Sequence, residues 1–177
     1  MFTYCPHCAS TKILYTQQRF SCNNCGFTFY QNVAAATACI ISTKKGILFE
    51  VRGKEPGKDK LGFPGGFINP GDGAVEGVRR ECIEEIGWDP GENLRFMASF
   101  PNIYPYKGIV YHSCDLYFTV SAPELTLSDL TLDMKETRDI RFISPDEINI
   151  DDIAFDAGKK ALHYFIMNST GEDSKSH

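Results

Sequence analysis

Gly66-Phe67-Ile68-Asn69-Pro70-Gly71-Asp72-Gly73-Ala74-Val75-Glu76-Gly77-Val78-Arg79-Arg80-Glu81-Cys82-Ile83-Glu84-Glu85-Ile86-Gly87-Trp88 joins a glycine-rich turn to an acidic, amphipathic segment. Residues 74–86 carry a helical period. Asp72 suits an N-cap and Gly87 a C′ position, and Pro90 blocks continuation. On a wheel of about 100° per residue, Val78, Cys82 and Ile86 fall within roughly 60° of Val75 and form the expected buried stripe. Glu84, Glu81 and Glu85 fall at about 180°, 240° and 280° on the same wheel, beside the stripe but outside it. Like charges at i,i+3 and i,i+4 spacing cost an isolated helix a few tenths of a kcal/mol per pair. A divalent cation removes that repulsion, and Mg²⁺ or Mn²⁺ prefers oxygen ligands. A solvated acidic face is the ordinary alternative.

The segment before the helix shifts the balance. Residues 63–73 are rich in glycine and proline and read as an irregular, tightly turned loop leading into the helix N-terminus. Gly65 and Gly66 let backbone approach a phosphate closely, and a helix N-terminus favours anions. A phosphate cradle beside a carboxylate cluster is a working pair.

These residues resemble the Nudix box, G-x5-E-x7-R-E-U-x-E-E-x-G-U with U a bulky apolar residue. Gly66, Arg80, Glu81, Cys82, Glu84, Glu85, Gly87 and Trp88 match, and Asp72 stands where the family has Glu. Leu61-Gly62-Phe63-Pro64-Gly65-Gly66 is similar to the family's approach to the box, and the resemblance covers about residues 32–168. It implies an α/β/α sandwich with a mixed sheet and hydrolysis of a nucleoside diphosphate linked to another group, such as ADP-ribose, an NDP-sugar or NAD(H). It further implies that Glu81, Glu84 and Glu85 hold catalytic Mg²⁺ or Mn²⁺ and that Arg80 orients a ligand glutamate. The shorter Asp72 then makes a looser or water-mediated contact with Arg80. Related enzymes place a further acid just before a late strand, and Asp139 occupies that position ahead of Ile140-Arg141-Phe142 in preference to Glu136.

Cys5-x2-Cys8-x13-Cys22-x2-Cys25 has the spacing of a four-cysteine zinc ribbon. A soft all-thiolate site selects zinc, and a closed one is structural. An Fe–S cluster or a redox dithiol is the alternative, and His7 is a spectator. A ribbon ahead of a Nudix box is similar to NADH pyrophosphatases and their neighbours. Those enzymes carry S-Q-P-W-P-F-P after the box, whereas here the stretch is Ser99-Phe100-Pro101-Asn102-Ile103-Tyr104-Pro105-Tyr106. NADH is therefore not the expected preferred substrate. Phe100, Tyr104 and Tyr106 remain candidates to stack on a base.

Outward from the box, short strands are expected at 12–15, 17–21 and 27–30. A buried strand is expected at 31–42, with 46–51 as its hairpin partner. Strands follow at 94–100, 109–120 and 139–143. In the second of these, Val110, His112, Cys114, Leu116 and Phe118 alternate with Tyr111, Ser113, Asp115 and Tyr117. Ser144-Pro145-Asp146-Glu147 has the form of a capping box opening a short helix. A last helix is expected at 156–167. The organisation is thus a zinc ribbon over 1–30, an α/β main domain over 31–168 and a disordered tail over 169–177.

The chain has 177 residues, with 42% hydrophobic and 23% charged, which is globular composition for one domain with an appendage. Net charge is −5, and since residues 1–30 hold Lys12, Arg19 and no acid, the remainder carries −7. That body is a poor non-specific binder of nucleic acid, which disfavours RNA-end processing. The N-terminus lacks a basic region and an apolar run, and no segment is long and apolar enough to span a bilayer. The expectation is a cytoplasmic enzyme with a small nucleotide substrate and no membrane partner, compatible with a homodimer. The competing class is a catalytically silent nucleotide sensor acting through the ribbon. The full glutamate set argues against it.

Overall fold

The structure is a computed structural model that describes residues 2–16 and 18–169. One Cys-x-x-Cys turn precedes and the other joins the last two strands of a small antiparallel meander, β1 (Ile13–Tyr15), β2 (Arg19–Cys22) and β3 (Thr28–Tyr30). Buried Cys5, Phe20 and Cys22 form its core, with Cys8, Ile13, Tyr15 and Phe27 packed around them. The meander lies in one of two units of the chain, Met1–Val33; the other is Ala34–His177.

The second unit is built on β4 (Ala34–Thr43) and β5 (Gly46–Arg52), joined across the Lys44-Lys45 turn. Gly46 has φ +116°, and a Cβ there would lie 2.3 Å from the Ile143 carbonyl oxygen, so only glycine fits. β6 (Leu61–Gly62) then pairs with β5, and β7 (Gly65–Phe67) pairs with β4. Part of the expected irregular loop is therefore a strand. Glycine carries no strand propensity of its own, and only the pairing with β4 makes it one.

α1 follows over Ala74–Ile86. Gly87 adopts φ 66° and closes it, with its N–H on the Ile83 carbonyl, as expected. Its N-cap is Gly73, not Asp72, and makes no side-chain cap. The Asp72 carboxylate points to Arg80 instead. Val75 is exposed, and the buried face holds Val78, Cys82 and Ile86 together with Gly77, Glu81 and Glu85.

β8 (Arg95–Tyr106) and β9 (Ile109–Ser121) form a long hairpin, so β8 runs six residues beyond the expected end. β10 (Thr137–Ile143) follows, and α2 (Asp156–Ser169) closes the described chain. Ser144 opens a turn, not a helix: its hydroxyl donates to the Asp146 side chain, and the nearest helical turn is Ile150–Asp152. Of the tail expected over 169–177, all but Ser169 lies outside the described residues.

The sheet order is β10-β5-β4-β9-β8. β4 and β9 are parallel and the other pairs antiparallel, giving the expected mixed sheet. Side chains alternate across it. Ile40, Phe49 and Tyr117 pack with Ala157, Ala161 and Leu162 of α2 on one face. Cys39, Ile41, Leu48 and Phe118 pack with Val78, Cys82 and Ile86 of α1 on the other. Each large apolar side chain so buried contributes on the order of 1.5–3 kcal/mol. The two helices therefore hold the sheet from both sides.

Candidate active site

β4 pairs with β5 over residues 41–43 and with β7 over residues 36–38. A cavity of about 590 Å³ opens beside residues 36–38 and β7. Its wall includes Gly65, Gly66, Glu81, Glu84, Glu85 and Tyr104, six of the expected site residues.

α1 supplies the carboxylates. Glu81 is only 9% exposed and Glu85 6%, so they are buried rather than on a solvated face. β7 covers the side of α1 that the wheel leaves open. Gly65 donates its N–H to Glu85 Oε2 at 2.7 Å. A Cβ on Gly66 would lie 2.6 Å from Glu81 Oε1. The two glycines thus let a strand pass directly over two carboxylates.

Arg80 joins the set. Its Nη1 donates to Glu81 Oε1 at 2.8 Å and to the half-exposed Glu84 Oε2 at 2.9 Å, and its Nη2 donates to the Phe67 carbonyl at 3.0 Å. Nε lies 3.5 Å from Asp72 Oδ2 and is buried without a hydrogen bond. The contact is direct but loose, as expected of a side chain one methylene short.

A residue without a place in the box completes the acidic interior. Glu50 is 2% exposed and accepts a hydrogen bond from Thr137 Oγ1 at 2.8 Å. Burial pushes its carboxyl up to about 7. Burial, and then the Glu50 charge, push Glu85 up to about 10, against the Gly65 N–H. Glu81 is raised by burial and held back by Arg80. The interior is short of positive charge. An acid inside the otherwise apolar run of β5 was the signal in the sequence.

Asp139 is not brought to the cavity. Its side chain is exposed, accepts from the Ile140 N–H and lies 3.8 Å from Arg141 Nε. The pairing of β10 with β5 is irregular between Thr137 and Asp139, which breaks the alternation that would have turned Asp139 inward. Glu136 and Asp133 line the cavity instead, with Lys54 paired to Glu136 at 2.5 Å.

Among the aromatic candidates, Tyr104 stands at the wall with ring centroids 5.7 Å from Phe67 and 5.6 Å from Phe155. Phe100 packs on Tyr117 and Tyr164 and is not itself part of the cavity lining. Tyr106 ends β8 opposite Ile109, and its side chain lies outside what the structure describes.

Oxygen donors short of positive charge fit a hard divalent cation. Among the described residues, however, the four cysteines are the one set of metal-binding side chains whose ligand atoms all lie within 4.8 Å of one another. Glu81 and Glu85 are turned to Arg80 and to the Gly65 N–H. The Sγ atoms of Cys5 and Cys25, and of Cys8 and Cys22, are 3.7 Å apart. A tetrahedron with 2.3 Å Zn–S bonds has an edge of about 3.8 Å, so the thiol set fits zinc and is far from disulfide distance.

A model of the NUDIX domain matches residues 32–164. No curated protein is matched by the sequence. A NUDIX hydrolase from Nitrosomonas europaea is 24% identical, over 90% of this chain and 87% of that one, with a TM-score of 0.62. The NUDIX domain of Shewanella oneidensis NrtR, solved with ADP ribose, is 14% identical over 78% and 90%, with a TM-score of 0.64. A C. elegans Ap4A hydrolase is 18% identical over 78% and 99%, with a TM-score of 0.59. At these identities the solved structures show the shared fold alone.

Proposed function

The chain belongs to the NUDIX domain family, and from that premise we propose that it is a metal-dependent hydrolase of the pyrophosphate linkage in nucleoside diphosphate derivatives. The observation that carries this reading is the burial of Glu81 and Glu85 beneath Gly65 and Gly66 at the cavity wall. A solvated acidic face would not be buried, and a buried acidic pair without a cation is costly. Glu81, Glu84 and Glu85 are the residues that would hold Mg²⁺ or Mn²⁺. Bound there, the ion would neutralise charge on the pyrophosphate and acidify a water.

The chain's own residues do the rest. Arg80 fixes Glu81 and Glu84 through paired guanidinium bonds. Arg52 and Lys54 bring positive charge to the cavity wall, where phosphates need it. Glu136 lines the same cavity, which supports it over Asp139 as the carboxylate that takes the proton from the attacking water. Zinc held by Cys5, Cys8, Cys22 and Cys25 would be structural. A reducing, cytoplasmic compartment would keep these thiolates available to zinc.

The test is a substrate panel with Mg²⁺ and Mn²⁺, scoring release of phosphate, pyrophosphate or nucleoside monophosphate. ADP-ribose and Ap4A, the compounds that the relatives' names carry, are the first probes. Turnover should vanish in chelator and return with the ion, and NADH should not be the best substrate. Tight nucleotide binding with no turnover under any metal would replace the hydrolase by a nucleotide sensor. A kcat/KM for NADH tenfold or more above the other substrates would overturn the specificity.

A further inference from the structure

β9 turns Ser113, Asp115 and Tyr117 to the α2 side of the sheet, and β8 adds Asn102 opposite Ser113. All four line the cavity. Asp115 is buried, and each of its oxygens accepts one bond: Oδ1 from Ser113 Oγ at 2.6 Å, Oδ2 from Asn102 Nδ2 at 2.8 Å. Asn102 Oδ1 is engaged by the Ile103 N–H at 3.0 Å. An ionised carboxylate has about four acceptor positions, so two remain on Asp115. Among the described residues no cation is hydrogen-bonded or ion-paired to it. A buried carboxylate held by two neutral donors, with acceptor capacity left over at a cavity wall, is costly to keep unless a ligand donor completes it.

The surroundings state what kind of donor. Tyr104 and Phe155 are aromatic neighbours at the same wall, and the Arg52 guanidinium lies 4.8 Å over the Phe155 ring. Flat, partly apolar walls of this kind fit a ring. Asp115 is registered beside Ala36 of β4, and Ala36 beside Phe67 of β7, next to the Gly66 that covers Glu81. Two inter-strand spacings, about 10 Å, therefore separate Asp115 from the carboxylate end. That interval is on the scale of a nucleoside, whose base would reach Asp115 with its 5′ phosphates toward Glu81.

We propose that Asp115 reads an exocyclic amino group on the nucleobase of the substrate, with Ser113 and Asn102 as positioning residues that aim its carboxylate. This rests on the cavity taking a nucleoside diphosphate derivative. It adds that the derivative carries adenine, guanine or cytosine in preference to a base without an amino group. Nothing local in the sequence marks Asp115, since an acid in an alternating strand reads as an outward position.

The test uses the full chain with Mg²⁺ and calorimetric binding of uncleavable α,β-methylene analogues. One pair compares ADP-ribose with its unsubstituted-purine counterpart. A second compares guanine with hypoxanthine in the same framework. The wild type should bind the amino-bearing member of at least one pair roughly 10–100-fold more tightly, the range for a hydrogen bond to a charged group. In Asp115→Asn that ratio should fall to about twofold, with affinity for the member lacking the amino group nearly unchanged. Equal affinities within both pairs for the wild type, or a ratio that survives Asp115→Asn, overturns the proposal. The wild-type comparison needs no variant, so a failure of Asp115→Asn to fold leaves the proposal exposed to refutation. Because binding is read without cleavage, absence of turnover would refute the hydrolase and still leave the base preference measurable.

Discussion

At the scale of the residue, Glu85 is where charge and burial conflict most. Its carboxyl is raised to about 10 by burial and by Glu50, while an unfolded glutamate titrates near 4.5. A group with a raised folded pKa lends stability that is fully present below the unfolded value and is lost as pH rises toward the folded one. The metal-free protein should therefore lose stability steadily from about pH 4.5 toward pH 10, with Glu50 contributing over the lower part of that window. Glu85→Gln keeps the shape and can still accept from the Gly65 N–H, so thermal melts in chelator should show a flatter pH slope than wild type. The same variant should lose roughly 10²–10⁴-fold in kcat, because it removes charge where the ion and the pyrophosphate meet. Steady-state assays at several Mg²⁺ concentrations check it. Wild-type activity with unchanged metal dependence would take Glu85 out of the site.

At the scale of the element, β7 and α1 act as a pair, and the two glycines of β7 have separable duties. A Cβ on Gly65 would lie 2.1 Å from the Thr37 carbonyl oxygen, which is backbone and cannot yield without moving β4. The three atoms nearest a Cβ on Gly66 all belong to the Glu81 carboxylate, the far end of a flexible side chain. Gly65→Ala should lower Tm markedly, with a loss of roughly 2 kcal/mol or more. Gly66→Ala should melt close to wild type yet lose most activity as Glu81 is displaced. Melting and kcat measured on both variants check this, and equal effects on Tm would show that the duties are not separate. The same pair explains what the sequence could show. The C-terminal end of α1 is legible because the apolar period stops at Gly87, and that glycine does close the helix. The burial of Glu81 and Glu85 is not, because a wheel assumes one covered side, and the second cover is a strand of glycines that carries no strand signal. The sequence favours Asp139 over Glu136 because an irregularity between β10 and β5 leaves no trace in residue types. Asp115 lies in the expected alternation of β9, but both faces of β9 are covered beyond Ser113, so polarity does not mark the outside there.

At the scale of the whole molecule, the chain is two units that face different stability problems. Ala34–His177 closes two apolar clusters around a mixed sheet. Among the described residues, Met1–Val33 buries only Cys5, Phe20 and Cys22, and domains below about 40 residues generally need a metal, disulfides or a partner. Its cysteines have sulfur–sulfur distances suited to a tetrahedral site, so zinc held there, as proposed, would supply the missing stabilisation, on the order of 10–16 kcal/mol for such sites. Metal analysis should find about one zinc per chain with four sulfur ligands near 2.3 Å. Replacing Cys22 and Cys25 together by Ser should abolish that zinc and unfold the first unit. The main unit should keep its own calorimetric transition, since its core includes no residue before Ala34. Calorimetry, zinc content and X-ray absorption on both proteins separate the outcomes. Iron in place of zinc, or a disulfide, would remove the structural zinc. Loss of the main transition in the double variant would show that the two units do not fold independently.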